Sequence, residues 1–445
     1  MSTADNKITK IDEIEKRTIR KAAIRLVPFL ILAYLLCYID RINLGFAALT
    51  MNKELGFSAT IFGWGAGIMF ISYFLCGVPS NLALHKLGAR RWIGTLMITW
   101  GILSASMALT RDVTSFLFLR FLLGMAESGF FPGVVLYLTY WFPDKHRAVI
   151  GSRFMFAQPI ALMIGSAISG WILNMDGIAG IAGWKWLFIL EGIPSSIVGV
   201  IAIFYLTDKP SQAKWLTAEE RTWLQSAMDS EKARAETAGK VSARGGMLNG
   251  RVILLSILYL TIVTGIYGVG MWTPQIVKAF GHLSSSEIGL ITAFPFLLAA
   301  IGMLAIGSSS DRTGERKWHL TLAVLGAGFG LLGSAVFSDQ PIVVVFCLAI
   351  AATGLYGCMS IFWLIPPTFL TGAAAAVGIA TINSVGNLGG FAGPFVVGWI
   401  KDTTGDFIYG LVYLGTLVVI GGVLAYIISS KNEAEKKPYN VLAPQ

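Results

Sequence analysis

The sequence predicts an all-α membrane protein with twelve transmembrane helices in two pseudo-symmetric six-helix bundles. Three observations predict it. Hydrophobic residues make up 55% of the 445 residues and charged residues 13%, a membrane composition in a chain whose length alone would suggest about three soluble domains of roughly 150 residues. Twelve apolar runs lie along the chain, each near the roughly 20 residues that a helix needs to cross about 30 Å. A basic, glycine-bearing loop recurs at the same place in the two halves, the mark of an internal repeat. The runs are too long for outer-membrane strands and lack their period-2 alternation.

Residues 1–25 form an amino-terminal tail. Its basic segment 7–25 has an isoleucine spacing that predicts a short surface helix, and no small-residue cleavage site follows, so it is not a signal peptide. The first bundle, 26–206, holds runs at 26–49, 61–84, 92–109, 115–142, 149–173 and 187–206. Residues 207–251 form the one long polar connection. Within it Thr217-Ala-Glu-Glu220 is a capping box ahead of Trp223, Leu224 and Met228 at helical spacing, which predicts a surface helix; 232–250 reads as flexible linker. The second bundle, 252–429, holds runs at 252–272, 288–306, 320–337, 341–364, 373–400 and 407–429, before a short polar tail, 430–445. Most runs contain glycine and some proline, which membrane helices tolerate because neighbouring helices re-satisfy freed backbone groups.

Orientation follows from Lys and Arg. With a cytoplasmic amino terminus, the tails and the loops after even-numbered runs hold 26 of the 34 Lys and Arg, the opposite loops five (Lys53, Arg111, Lys185, Lys278, Lys401) and the runs three. That distribution obeys the positive-inside rule. Topology thus accounts for the net charge of +9, and no nucleic-acid partner is implied. Cys37, Cys76, Cys347 and Cys358 all fall inside runs and read as small apolar packing residues. There is no metal spacing, nucleophile motif or phosphate loop, so neither an enzyme nor a cofactor is expected.

Charges inside the runs carry the functional signal, since each costs about 2.5 to 3.5 kcal/mol at the bilayer centre. The first bundle holds Asp40, Arg41, Arg120, Glu127, Arg153 and Glu191; the second holds no Asp, Glu, Lys or Arg within its runs. Asp40 and Arg41 are adjacent, so they point about 100° apart and each needs another partner. Arg120 and Glu127, seven residues apart, return to one helix face. These four are expected to form one charge set. Glu191 is expected to bond backbone or a Trp nitrogen, and Arg153 to snorkel to the cytoplasmic end. The second bundle offers rings and neutral hydrogen bonding: Tyr267, Trp272 and Gln275, then Tyr356 and Trp363, then Asn383 and Asn387 on one face. The two asparagines read equally as ligand groups or as glue between helices.

The loop after the eighth run reads Gly307-Ser-Ser-Ser-Asp311-Arg312-Thr313-Gly314-Glu315-Arg316-Lys317, and resembles the Gly-x-x-x-Asp-Arg-x-Gly-Arg-Lys/Arg loop of the major facilitator superfamily. The copy after the second run, 81–91, keeps Gly88 and Arg90 but has Asn81, His85 and Ala89 in the Gly, Asp and Arg slots. By the resemblance His85, Arg90, Asp311, Arg312 and Gly314 would form a cytoplasmic gate. Three further stretches, Asp40-Arg41-Ile-Asn43-Leu-Gly45, Glu127-Ser-Gly129-Phe-Phe-Pro132-Gly133 and the glycine-rich string ending Gly393-Pro394, resemble the anion:cation symporter family within that superfamily. The resemblance covers about 25–430, and the Trp184-Lys-Trp186 and Trp215-Leu-Thr-Ala-Glu-Glu stretches look closest to its tartrate and hydroxyphenylacetate permeases.

The resemblance implies a proton-coupled symporter of a small organic acid anion working by alternating access, in a bacterial inner membrane and as a monomer. Asp40 and Glu127 would be its proton-coupling carboxylates. Arg41 and Arg120 would neutralise them or grip the substrate carboxylate, and Tyr38, Tyr73, Gln158 and Asn387 would line the substrate, joined by Tyr267 and Asn383 from the second half. The bound acid stays open: Phe70, Tyr73, Phe154 and Phe156 suit an aromatic acid, whereas Gln158, Asn383 and Asn387 suit a sugar acid or a tartrate-like one. An organic-anion exchanger or drug exporter of the same fold is the other class. The lack of a sizeable extramembrane domain argues against a receptor.

Overall fold

A computed structural model of the protein describes residues 3–237, 249–370 and 372–436. The first half comprises α1 (Thr3–Leu55), α2 (Ala59–Leu87), α3 (Ala89–Ser106), α4 (Val113–Glu127), α5 (Phe130–Trp141), α6 (Asp144–Met155), α7 (Ala157–Ile172) and α8 (Gly183–Tyr205), followed by α9 (Ala218–Thr237). The second comprises α10 (Gly250–Lys278), α11 (Ser285–Thr313), α12 (Lys317–Val336), α13 (Pro341–Gly357), α14 (Met359–Phe362), α15 (Gly372–Asn387), α16 (Gly389–Thr404) and α17 (Ile408–Lys436). Among the described residues there is no strand.

Ten spans are long and apolar enough to cross a membrane, with α4 and α5 together making one and α13 and α14 another. The remaining two are α6–α7 and α15–α16, helices of 12 to 16 residues that are too short singly. Twelve spans result, and four are interrupted: the fourth at Ser128–Gly129, the fifth at Phe156, the tenth at Cys358 and the eleventh at Leu388. The interruptions occupy matching places, fourth with tenth and fifth with eleventh. The loop glycines match as well. Gly88 (φ +85°) and Gly314 (φ +69°) each cap the second helix of a half in the left-handed region, where a side chain would strain the backbone.

Helix α3 packs on α8 and α2 on α4 within the first half, and α12 on α17 and α11 on α13 within the second; the halves meet along α7 with α11, α2 with α16 and α1 with α10. The seams are tightest at the face away from the termini. A Cβ on Gly170 would come 2.5 Å from the Ser285 carbonyl oxygen, and one on Gly289 would come 2.7 Å from that of Ser166, so α7 and α11 touch only because both residues are glycine. At the same end the Asp402 carboxylate accepts the backbone N–H groups of Ala59 (3.0 Å) and Thr60 (2.7 Å), capping α2 from the opposite half. Asn174 bonds Ser286 at 2.5 Å and Lys278 bonds the Leu49 carbonyl. Burial by itself would raise the Asp402 carboxyl, but the bonds from Thr60, Ser58 and Ala59 outweigh it and hold it below the usual carboxylate range.

On the face that carries the termini, the seam between the halves is hollow. A cavity of about 450 Å³ lies between α2 and α5 on one side and α15 on the other. The first half is braced there by α9. Its capping box is present, with Thr217 N–H to Glu220 at 2.9 Å and Glu220 N–H to Thr217 Oγ at 3.2 Å, and buried Glu220 also accepts Arg17 (2.7 Å) and Lys21 (2.8 Å) from α1. The expected short surface helix of the amino tail is instead the start of α1, which runs unbroken from Thr3 into the first span. Those two ion pairs and the contacts of Glu15 with Lys145 and His146 hold this extension against its own half. Most of the expected flexible linker lies outside the described residues.

Candidate functional site

Where the four interrupted spans meet α1 and α10, a chamber of about 40 Å³ closes around polar groups and opens into the 450 Å³ cavity; Tyr73, Phe131, Met155, Asn383 and Asn387 line both. Tyr34, Tyr38 and Arg41 reach the chamber from α1, at i, i+4 and i+7. Tyr259, Val263 and Tyr267 reach it from α10, at i, i+4 and i+8. The helix interruptions are where the remaining groups enter: Met155 and Gln158 flank Phe156, Met359 follows Cys358, and Asn387 precedes Leu388. Discontinuous helices at membrane depth are tolerated where they line a cavity.

Among the described residues, Arg41 is the one charged group in the chamber wall. Its Nε donates to Glu127 Oε2 at 2.6 Å and its Nη1 to the Tyr267 hydroxyl at 3.0 Å, a bond that crosses between the halves. Its guanidinium carbon also lies 5.4 Å from the ring centre of Tyr38 and 5.3 Å from that of Tyr73, close enough for cation–π attraction. Glu127 keeps one oxygen, Oε1, buried and unpartnered, while Oε2 also has the Cys37 thiol at 3.6 Å. Gln158 donates to the hydroxyls of Tyr34 (2.5 Å) and Tyr38 (2.7 Å). Asn387 donates to the carbonyl and side-chain oxygens of Asn383, at 2.8 and 3.1 Å. The two asparagines share a face of α15 and bond along it, while both line the chamber.

The expected four-residue charge set is split by the packing. Arg41 and Glu127 pair, but Asp40, fully buried, accepts Ser104 Oγ on α3 and Ser195 Oγ on α8, both at 2.7 Å. Arg120 donates to the Gly65 carbonyl at 2.9 Å and approaches the Met69 sulfur at 3.3 Å, tying α4 to α2. It lies about two turns from Glu127, too far along the helix to reach the same partner. Of the eight residues expected to bind substrate, Arg120 is thus the one that does not line the chamber. Glu191 also departs from expectation: it accepts the Ser169 hydroxyl at 2.7 Å, not backbone or a Trp nitrogen. Phe70 packs against Tyr267 and Phe154 against Tyr34, so both rings support the wall from behind.

Of the expected gate residues, Arg90 pairs with Asp208 at 3.4 Å within its own half, and Asp311, Arg312 and Gly314 are exposed. The side chains of His85 and Arg153 lie outside the described residues. Among the described residues no cluster of His, Cys, Asp and Glu could hold a metal. Tyr34, Tyr259 and Met359 belong to the wall without having been expected there. The four-residue spacing of Tyr34 from Tyr38 was the available signal for the first.

The family model described as Major Facilitator Superfamily matches residues 30–394. A "Putative tartrate transporter" of Agrobacterium vitis is 49% identical over 96% of this chain and 95% of its own. A "Quinolone resistance transporter" of Acinetobacter baumannii is 41% identical over 95% of this chain and 98% of its own. Among solved structures, a bacterial homologue of the human lysosomal transporter Spinster, inward-facing and unoccupied, superposes with a TM-score of 0.73 at 16% identity, covering 93% of this chain and 97% of that one. This chain belongs to the major facilitator superfamily, and it is a multi-pass membrane transporter of small organic substrates, not an enzyme.

Proposed function

We propose that the protein takes up a small hydroxylated carboxylate anion with protons across the bacterial inner membrane, both termini being cytoplasmic, and that this structure is its inward-facing state. The single carrying observation is that Arg41, the only cation among the described residues of the chamber wall, is held by Glu127 and by no other described carboxylate. A guanidinium so placed can serve either Glu127 or a substrate carboxylate. When Glu127 is ionised the pair is satisfied internally. When Glu127 takes a proton its hold on Arg41 weakens, and an incoming carboxylate becomes the better partner. Proton and anion are thereby bound together.

The rest of the wall consists of phenol, amide and apolar groups, which hydrogen-bond hydroxyls and offer no second cation. That composition and the small chamber suit a compact hydroxy acid of the kind named for the tartrate relative. A quinolone, the drug in the other relative's name, would need the larger, mostly apolar cavity instead. The expected outcome is that Glu127→Gln in proteoliposomes exchanges substrate at equal pH on both sides yet fails to concentrate it when a proton gradient is imposed. Full uphill accumulation in that variant would remove Glu127 from the coupling. Uptake driven by a counter-anion and indifferent to pH would favour the exchanger reading.

A further inference from the structure

A second acidic site lies behind the chamber wall, inside the first half. Helices α1 and α8 run antiparallel, and the Asp40–Ser195 bond fixes their register. One turn further from the termini on each helix lie Asn43, three residues after Asp40, and Glu191, four before Ser195. The polar groups acting on Glu191 are Asp40 and Asn43 from α1 and Ser169 from α7; from α3, Gly101 and Ser104 meet the neighbouring Gly192. None of these is a cation. Four buried side-chain atoms in this layer lack a well-formed hydrogen bond, Glu191 Oε2, both polar atoms of Asn43 and the Ser166 hydroxyl, with the Asn43 amide facing the Glu191 carboxyl.

Each buried polar group left without a partner costs about 1–3 kcal/mol, so three such side chains on facing helices make a polar layer fitted to take up water or a proton. The neighbouring seam would admit that water. Ser166 and Gly170 are the stretch of α7 against which Gly289 and Ser285 of α11 close, and Ser169, next to Gly170, holds Glu191. Rocking that parts α7 from α11 would bring outside water first to Ser166 and Gly170, and past the neighbouring Ser169 to Glu191.

We infer that Glu191 is the outward proton-loading carboxyl: it takes a proton when the α7–α11 seam opens and passes it to Asp40 through the Ser195 hydroxyl. In that transfer Ser195 gives its proton to an Asp40 oxygen and receives one from Glu191, which is left ionised toward the water that will reload it. One proton moves and no bond between heavy atoms changes. This inference rests on the proton-symport reading above.

The test separates the two sides of the membrane. Initial uptake is measured in oriented proteoliposomes while external pH is varied at fixed internal pH, and then the reverse. Glu191→Gln, which preserves shape and the Ser169 bond, is expected to move the external profile at least about one unit toward acid and to leave the internal profile in place. Substrate exchange at equal pH should persist as evidence of a folded carrier. Asn43→Leu, which leaves both acids in place but removes a polar neighbour of the Glu191 carboxylate, should also shift only the external profile, in the opposite, alkaline direction, and decides the matter if the glutamine variant fails to fold. An external profile that superimposes on that of the unaltered protein, or equal shifts on both sides, would overturn the inference. Uptake by the unaltered protein that ignores pH altogether would instead remove the symport reading on which it stands.

Discussion

The two halves share one helix plan and divide the chemistry unequally. In each, the first helix lays tyrosines four residues or more apart along the chamber, Tyr34 and Tyr38 on α1, Tyr259 and Tyr267 on α10, and the fourth and fifth spans are interrupted at the chamber's level. Only the first half adds charge. Arg41 and Glu127 are partners within it, Asp40 is satisfied by serines within it, and Arg120 staples two of its helices. The second half faces this with phenol and amide groups. The difference teaches how the halves can separate cheaply. Breaking a buried ion pair by removing one partner costs about 3–5 kcal/mol, whereas the chamber bond that crosses the seam, Arg41 to Tyr267, involves one charge and is worth about 1.5–3 kcal/mol.

Variants that disturb this division should rank accordingly. Arg41→Gln leaves Glu127 buried without its cation and is expected to lower transport by roughly two to four orders of magnitude, as about 3–5 kcal/mol implies; tracer uptake within tenfold of normal would mean that the charge is not concentrated where the comparison puts it. Tyr267→Phe removes the crossing bond alone. It should weaken substrate binding by about tenfold or more, read by thermal shift against a panel of hydroxy acids, and an unchanged affinity would make the second half a passive wall. Asn387→Ala removes a neutral donor and should raise the half-saturation concentration only about two- to tenfold, with the maximal rate preserved.

The smallest effect belongs to Asp402, which caps a helix of the opposite half. Asp402→Ala should shift the population toward the outward-open form by about 1 kcal/mol, the ordinary worth of a cap, measured as faster labelling of a cysteine placed in the α2–α16 seam. Because the folded-state carboxyl is held below its ordinary value, the stabilisation it brings is present above the unfolded aspartate value near 3.9 and is lost as pH falls through the lowered one. The ratio of labelling rates between the Asp402 variant and the unaltered protein, which cancels the pH dependence of the thiol itself, should therefore be constant from about pH 5 to 8 and approach one only in stronger acid.

Much of this was legible in the chain. Apolar runs fixed the spans, the two loop glycines marked the repeat, and charges in apolar surroundings drew attention to Asp40, Arg41, Arg120, Glu127 and Glu191. Partners were less legible, because they depend on how each helix is rotated about its axis. Two serines within largely apolar runs, Ser104 and Ser195, give no sign that both aim at Asp40. Arg120 shares a stripe with Glu127 yet is captured by the Gly65 carbonyl of α2. Tyr259 and Met359 were missed for the same reason: a neutral ring or thioether in a membrane run looks like lipid-facing surface until the opposing half is in place.

One feature reaches beyond the membrane. With 53 residues in a single helix, α1 is about 80 Å long at 1.5 Å per residue, and roughly 35 Å of it precedes the first apolar run. That stem is clamped to α9 and to the start of α6 by ion pairs that all belong to one half. It therefore behaves as a lever arm: a rotation on the order of 15° in the bilayer becomes a sweep of about 9 Å at the stem's far end. A distance ruler strung from Arg20 on that arm to Asp311 would give a direct reading of the carrier's cycle, with no label inside the transport path.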